Sequence, residues 1–366
     1  MNQAPDKQLT NSNFGKWGWS MILYSMLLYY FWAGLAVDGL NVYPGAFAAL
    51  HGWDPNVLLG FATPAGIIGV LGGIVFGRLI MKTGARNLSA VTLIVTGLIY
   101  ILFGRVSSPT MFLVCLTLFT FMANAFGLIV TSTLMNNWFP RKKGIALGWA
   151  TMGAPLCTAT FVAILSGLFG KFGVPTGCTI VGVFVVIFGL ASLVWVKDYP
   201  HDVGAYPDNI RDEGVDLKAQ AEAVRSHKSA FTVSKLLRDK DMWCMALGFG
   251  LLWMVTVGIV SQFVPRMISV GNSQPTALMM LTVAAVVGLF GSYFWGWLDQ
   301  KVGTKTASVV YSASYIIALL LLIFAKLPIF TYIAIVFVGL AIESLQLEDL
   351  VIATPDVGGS KRASTY

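Results

Sequence analysis

The side chains in this chain whose types and spacing could do work are mostly cations in short polar segments. "GRLIMKTGARN", residues 77–87, sets Arg78, Lys82 and Arg86 among Gly77 and Gly84 with no acid between them. A second cluster, Arg141, Lys142 and Lys143, follows Pro140 in "NWFPRKKG". Cations so placed can meet helix C-terminal dipoles or the carboxylates of a neighbouring helix. Each such contact is worth about 0.3–1 kcal/mol when exposed, enough to bias an equilibrium between two conformations. Fixing membrane topology and holding anionic lipid is the simpler alternative for the same residues. Gly84 suits a tight reversal and Gly77 a close approach of two helix ends.

Polar and aromatic side chains also punctuate the apolar runs. Tyr24, Tyr30, Asn124, Thr131, Trp149, Trp253 and Gln262 are the candidates for a small-solute cavity, with packing or an interfacial belt as the alternative. Asn124 stands out, because an amide at mid-helix requires a partner. Asp38 and Glu343 fall near helix ends. For Asp38 a proton-coupling acid and an exposed helix-end acid are both open. No Ser/His/Asp, metal-ligand or nucleotide-cradling constellation stands out, so the expectation is a non-enzyme without cofactor or metal. Cys115, Cys157, Cys178 and Cys244 lie in or beside apolar runs without CxxC spacing, and His51, His201 and His227 lie in polar connections.

The elements that carry these residues follow from composition. The chain is 56% hydrophobic and only 11% charged, where a soluble domain has about a quarter of its residues charged. About 20 apolar residues cross a bilayer as a helix, and ten such segments are expected: 17–37, 56–77, 88–104, 110–135, 144–169, 177–196, 242–264, 275–297, 307–325 and 328–343. The first is too long for a signal-peptide core and reads as a retained span. With the N-terminus inside, 20 of the 24 Lys and Arg fall on the cytoplasmic side; only Arg105, Lys171, Arg266 and Lys326 fall outside. That bias orients the chain with both termini cytoplasmic. It also accounts for most of the net charge of +7 without nucleic acid as a partner.

Helix 2 carries Gly66, Gly69, Gly73 and Gly77 at helical spacing, and helix 5 carries Gly144, Gly148, Gly153 and Ala154. Small residues of this kind let helix backbones approach in lipid. Pro64 and Pro155 are expected to kink or break their spans. The polar stretch 197–241 reads as a linker between two bundles, with amphipathic surface helices in "DLKAQAEAVRSHKSAFTVSKLLRDKD" as a second reading.

The first cationic segment has a second copy, "GWLDQKVGTKT", at residues 296–306. Gly77, Leu79, Lys82, Gly84 and Arg86 correspond to Gly296, Leu298, Lys301, Gly303 and Lys305 at a constant offset of 219. Both copies follow the second helix of their half, the pattern of a parallel-repeat transporter. Here the chain resembles the major facilitator superfamily, whose loop between helices 2 and 3 reads G-x-x-x-D-[RK]-x-G-x-[RK]. Met81 and Gln300 stand at the acidic position, with Asp299 one residue earlier in the second copy. "NWFPRKKGIALGWATMGAP", residues 137–155, is similar to the oxalate–formate antiporter and monocarboxylate transporter branch.

The resemblance implies an all-α polytopic fold: a six-helix bundle over 1–196, the linker 197–241, an incomplete bundle of about four helices over 242–343, and a polar tail 344–366. It implies secondary transport of a small organic anion by alternating access, in a monomer of the plasma membrane. A non-transporting, sensor-like relative is the alternative. Gly77, Lys82, Gly84, Arg86, Arg141, Lys142, Gly296, Asp299, Lys301, Gly303 and Lys305 would form the cytoplasmic gate. By the same resemblance an oxalate carrier has a cation in helix 8, and "TALMMLTVAAVVGLFGSYFWGWL" has none, which favours a monoanion. The 219 offset carries the counterpart of helix 4 to about residue 354. The chain turns instead to "ESLQLEDLVIATPDVGGSKRASTY", so a truncated or frame-shifted end is expected.

Overall fold

A computed structural model describes residues 11–211, 238, 240–324 and 328–342. The described residues are helical, linked by turns, and divide into two compact units. One comprises Gly15–Trp138 and Trp149–Val203; the other comprises 11–14, Phe139–Gly148 and the described part of Gly204–Tyr366. Among the described residues, seven helical runs are long and apolar enough to cross a membrane: Gly15–Asn41, Pro55–Phe103, Pro109–Trp138, Lys143–Phe172, Val174–Trp195, Met279–Val302 and Thr304–Ile323. Two shorter apolar helices, Met242–Thr256 and Ile329–Leu340, fall where further spans are expected.

The first unit begins with α1 (Gly15–Ala36), a 3-10 turn Asp38–Asn41, and the short helices α2 (Tyr43–His51) and α3 (Pro55–Gly60). It continues with α4 (Ala62–Phe103), α5 (Pro109–Asn124), a π-helical turn Ala125–Val130 and α6 (Thr131–Trp138). A straight helix as long as the 49-residue run Pro55–Phe103 would measure roughly 70 Å at the usual rise, more than twice the hydrocarbon thickness. Gly84 resolves this: at φ 78°, ψ 164° it is the one non-helical residue inside α4. That backbone region is essentially open to glycine alone, so the run holds two expected spans on either side of it. Ser108 caps α5 by accepting the Met111 amide, with Pro109 at the first helical position.

Helix α7 (Lys143–Thr151) ends one residue before α8 (Gly153–Phe172), which is followed by α9 (Val174–Trp195). Pro64 and Pro155 both sit in the first turn after a break, at Phe61 and Met152, rather than inside a continuous helix. Their missing amides and rings are tolerated there and exclude a helix running through from the preceding turn.

Within this unit α4 and α9 touch backbone to backbone. A Cβ on Gly97 would lie 2.6 Å from the Gly182 carbonyl, and one on Gly182 would lie 2.6 Å from the Gly97 carbonyl. Against α5, α4 uses Gly69, facing Thr120 and Asn124, and Gly72, facing Phe121. Gly66, Gly73 and Gly77 have nothing described within reach of a Cβ, so the packed stripe is displaced from the expected one. Tyr43, Phe47, Tyr100, Phe103, Phe112 and Phe119 form a fully buried aromatic core. Ile67 and Val70 on α4 are 65% and 70% exposed, the outward apolar surface a bilayer solvates.

The second unit holds α10 (Lys240–Ser269), α11 (Gln274–Val302), α12 (Thr304–Ile323) and α13 (Pro328–Ile342), together with Phe139–Gly148. Its centre is aromatic and polar at once. Trp295 donates its indole N–H to the Leu340 carbonyl at 2.9 Å and packs edge-on to Tyr311. The Tyr311 and Tyr315 hydroxyls are 2.8 Å apart, and Tyr315 also bonds Thr256. This links α10 to α12 through buried groups that find partners inside the unit, as lipid requires. The segment 212–237, with its expected surface helices, and the tail from Glu343 onward lie outside the described residues.

Candidate functional site: two glycine-broken loops and a set of intrahelical polar pairs

In the first cationic segment, the positive φ of Gly84 ends one helical stretch and starts the next. The new stretch is capped from far along the chain. The Asp198 carboxylate accepts the Arg86 amide at 2.8 Å and also bonds the Ala85 amide. A Cβ on Gly84 would stand 2.5 Å from Asp198 Oδ2. Burial pushes the Asp198 carboxyl up from the usual carboxylate value, against the amide bonds that favour its ionised form. Asp198 is itself placed from α6: Asn137 donates to its carbonyl at 3.1 Å, and the Trp138 indole donates to the Lys197 carbonyl at 2.9 Å. Met81, Lys82 and Arg86 are exposed.

The second copy repeats the break. Gly303 has φ 84°, ψ 153° between α11 and α12, close to the values of Gly84 and at the position the 219 offset assigns. Asp299 lies buried in the last turn of α11, its carboxylate bonded to the Thr304 side chain and facing Lys143. Its Oδ1 has no hydrogen-bond partner among the described residues. Lys301 sits 4.7 Å from the centre of the Trp297 ring, and Lys301 and Lys305 are exposed.

Within the same unit, the first turns of α7 press on α11. A Cβ on Gly144 would lie 2.8 Å from both the Asp299 carboxylate and the Gly296 carbonyl, and one on Gly296 would collide with the Gly144 carbonyl. Gln300 Nε2 donates to the Arg141 carbonyl at 2.8 Å. Asp208, only 1% exposed, accepts the Arg141 amide at 3.1 and 3.2 Å and the Lys142 amide at 2.8 Å. Burial raises the Asp208 carboxyl above its ordinary value. Burial lowers the Lys142 ammonium, and the Asp208 charge opposes that shift. Arg141, Lys142, Gly296, Asp299 and Gln300 therefore meet in one unit, whereas Gly77, Lys82, Gly84 and Arg86 belong to the other.

Five of the seven intrahelical candidates have a partner among the described residues. Asn124 Oδ1 accepts the Trp32 indole N–H at 2.8 Å, and its Nδ2 faces Gly69, where a Cβ would stand 2.9 Å away. The π-helical turn starts at the next residue and presses Gly127 onto the Trp32 side chain. Such turns recur at functional sites. Thr131 bonds back to the Phe126 carbonyl across this turn. Tyr24 is fully buried, donates to Ser192 at 2.7 Å and packs on Phe188 and Trp195. Tyr30 pairs with Thr160 at 3.0 Å, and Trp149 meets Trp19 edge-on. Trp253 is half-buried on α10, and the Gln262 side chain lies outside the described residues. Asp38 is only 8% exposed, so it is not an exposed helix-end acid. It accepts the Thr158 hydroxyl at 2.9 Å and bonds the Cys157 thiol.

Trp32, Asp198 and Asp208 are the members that sequence reasoning missed. An indole N–H looks like packing until its acceptor is seen, and the two aspartates cap amides 112 and 66–67 positions away. Among the described residues no group of three or more His, Cys, Asp or Glu is placed to hold a metal ion.

Residues 10–347 match the model of the Major Facilitator Superfamily. The oxalate:formate antiporter of Oxalobacter formigenes is 25% identical over 224 residues, 59% of this chain and 49% of that protein. The membrane sensor protein UhpC of Salmonella typhimurium is 23% identical over 227 residues, 60% of this chain and 50% of that protein. The matched region thus spans about half the length of these relatives. The fold matches the proton:xylose symporter XylE with a TM-score of 0.69 at 12% identity, covering 92% of this chain and 82% of that one. It also matches a bacterial homologue of the lysosomal transporter Spinster, with a TM-score of 0.56 at 14% identity, covering 92% and 75%. On the extent of the family match, and with a fold to agree, the chain belongs to the major facilitator superfamily.

Proposed function

We propose that the protein is a secondary transporter of a small organic monoanion in the plasma membrane, with both termini cytoplasmic. It works by alternating access of a bundle over 1–196 against one over 242–343, joined by the linker 197–241. The observation that carries this reading is the pair Gly84 and Gly303, the same glycine-only break at corresponding places in two homologous halves. Lys82 and Arg86 with Gly77, Lys301 and Lys305 with Asp299 and Gly296, and Arg141 with Lys142 are the cytoplasmic gate. Asn124, held by Trp32, is the main solute contact, with Tyr30 and Trp149 lining the path.

The solute class rests on the antiporter likeness and on α11, which carries Lys301 in its last turn and no other cation. One carboxylate matches a site of amide, hydroxyl and indole donors, whereas a dianion calls for paired cations. A thermal-shift series on the purified full chain tests the class. Formate, acetate and lactate should raise the unfolding midpoint in a saturable way, and oxalate or malonate should not. Stabilisation by the dianions alone would overturn the monoanion assignment.

A further inference from the structure

Lys142 is a cation with 2% of its surface exposed, and the groups that hold it come from a stretch of chain outside the helices. Its Nζ donates to Asn11 Oδ1 at 2.9 Å and to the Asn13 carbonyl at 3.2 Å, and it stands 5.9 Å from the centre of the Phe14 ring. Phe14 is buried against Phe139, with ring centres 4.9 Å apart. Asn209 Nδ2 donates to Asn13 Oδ1 at 3.1 Å, which ties the same stretch to the turn Pro207–Asn209. In that turn Asp208 and Asn209 both hold positive φ, 57° and 55°, placing the Asp208 carboxylate under the Arg141 and Lys142 amides. On the far side of the loop Gln300 grips the Arg141 carbonyl and Gly144 packs on Gly296. The loop 139–142 is therefore held from two sides, by residues 11–14 and 207–209 and by the end of α11.

An ammonium withdrawn from water is tolerated only while its donors are satisfied. Two of the Lys142 acceptors belong to residues 11–14, and the Phe14 ring adds a weaker cation–π contact. When those residues leave, Lys142 must regain water, and the loop moves with it. Arg141, the next residue, carries the carbonyl that Gln300 holds. Burial of Lys142 and docking of the loop on α11 are thus one two-position element, the kind of bistable contact that conformational switches use.

We propose that residues 11–14 form an N-terminal strap that latches the 139–142 loop onto the end of α11, so that release of the strap is the step that frees the cytoplasmic gate. The gating role rests on the transport reading given above; the latch itself does not. The test is hydrogen exchange by mass spectrometry on the full chain in detergent with no solute, comparing the wild type with Asn11→Ala, Lys142→Met and Lys142→Arg.

Asn11 is exposed, so Asn11→Ala removes one acceptor without disturbing the core. Exchange across Phe139–Gly148 and across 296–302 should quicken about tenfold in Asn11→Ala, the worth of one hydrogen bond to a charged group. It should quicken further in Lys142→Met and return towards wild type in Lys142→Arg, while Ala85–Phe103 is unchanged. Unaltered exchange in both segments of folded Asn11→Ala would overturn the latch. Faster exchange in a protein that moves no anion would leave the latch standing and remove the transport reading.

Discussion

Asp198 accepts the Arg86 amide at 2.8 Å across 112 residues of chain, and the glycine that makes room for its carboxylate is Gly84. A segment that looks like a run of surface cations is therefore held by a half-buried acid. The cations Lys82 and Arg86 stay in solvent while the backbone beneath them is capped.

The cap should be measurable. Asp198→Ala removes the acceptor for two amides and should cost about 1 kcal/mol, within the usual range for a lost N-cap. Asp198→Asn, which keeps one oxygen acceptor, should cost less. Unfolding midpoints of the purified variants decide the order, and equal midpoints for both would contradict the capping role.

Gly84 and Gly77 should separate sharply although they share one segment. Gly84→Ala places a Cβ on a backbone at φ 78° and 2.5 Å from Asp198 Oδ2, and should destabilise by roughly 1–3 kcal/mol. Gly77→Ala meets nothing described within reach and should stabilise the helix by roughly 0.5–1 kcal/mol. Thermal melts in one detergent provide the comparison.

The two breaks also show what was legible in the chain and what was not. Gly84 and Gly303 could be read because a repeated glycine at a fixed offset marks a conformation that no other residue adopts readily. The packed face of α4 could not. Gly66, Gly69, Gly73 and Gly77 trace one stripe by spacing, but spacing does not say which edge of a stripe meets a neighbour. The contacts fall on Gly69 and Gly72. Asn124 announced its need for a partner by its position, and the partner, Trp32, sits 92 residues earlier in the chain. Asp198 and Asp208 had no local pattern at all, because an acid capping a distant amide is written only in three dimensions.

Burial raises the Asp208 carboxyl, which fixes the sign of a pH effect. The folded state then holds a proton that the unfolded chain releases. The contribution of Asp208 to stability is therefore fully present below the unfolded value of 3.8 and is lost as pH rises through the folded value. Relative to Asp208→Asn, the wild type should gain stability as pH falls from neutrality towards 3.8. Parallel melting curves over that interval would show that Asp208 does not carry the effect.

Trp32 and Asn124 should behave as one unit. Trp32→Phe and Asn124→Ala each delete one end of a 2.8 Å hydrogen bond. The double variant should cost less than the sum of the two, with a coupling of about 0.5–1.5 kcal/mol. The same non-additivity should appear in the binding of a monocarboxylate if the pair positions the solute. Strict additivity in both readouts would separate the two residues.

The most direct measurement of the central claim is counterflow in proteoliposomes containing the full chain and loaded with unlabelled formate. Labelled formate outside should accumulate transiently above equilibrium, and Gly144→Leu, which wedges α7 away from Gly296 on α11, should abolish the overshoot. No overshoot with the wild type, for formate or for acetate and lactate, while those anions still bind, would contradict transport and make the protein a receptor built on a transporter fold.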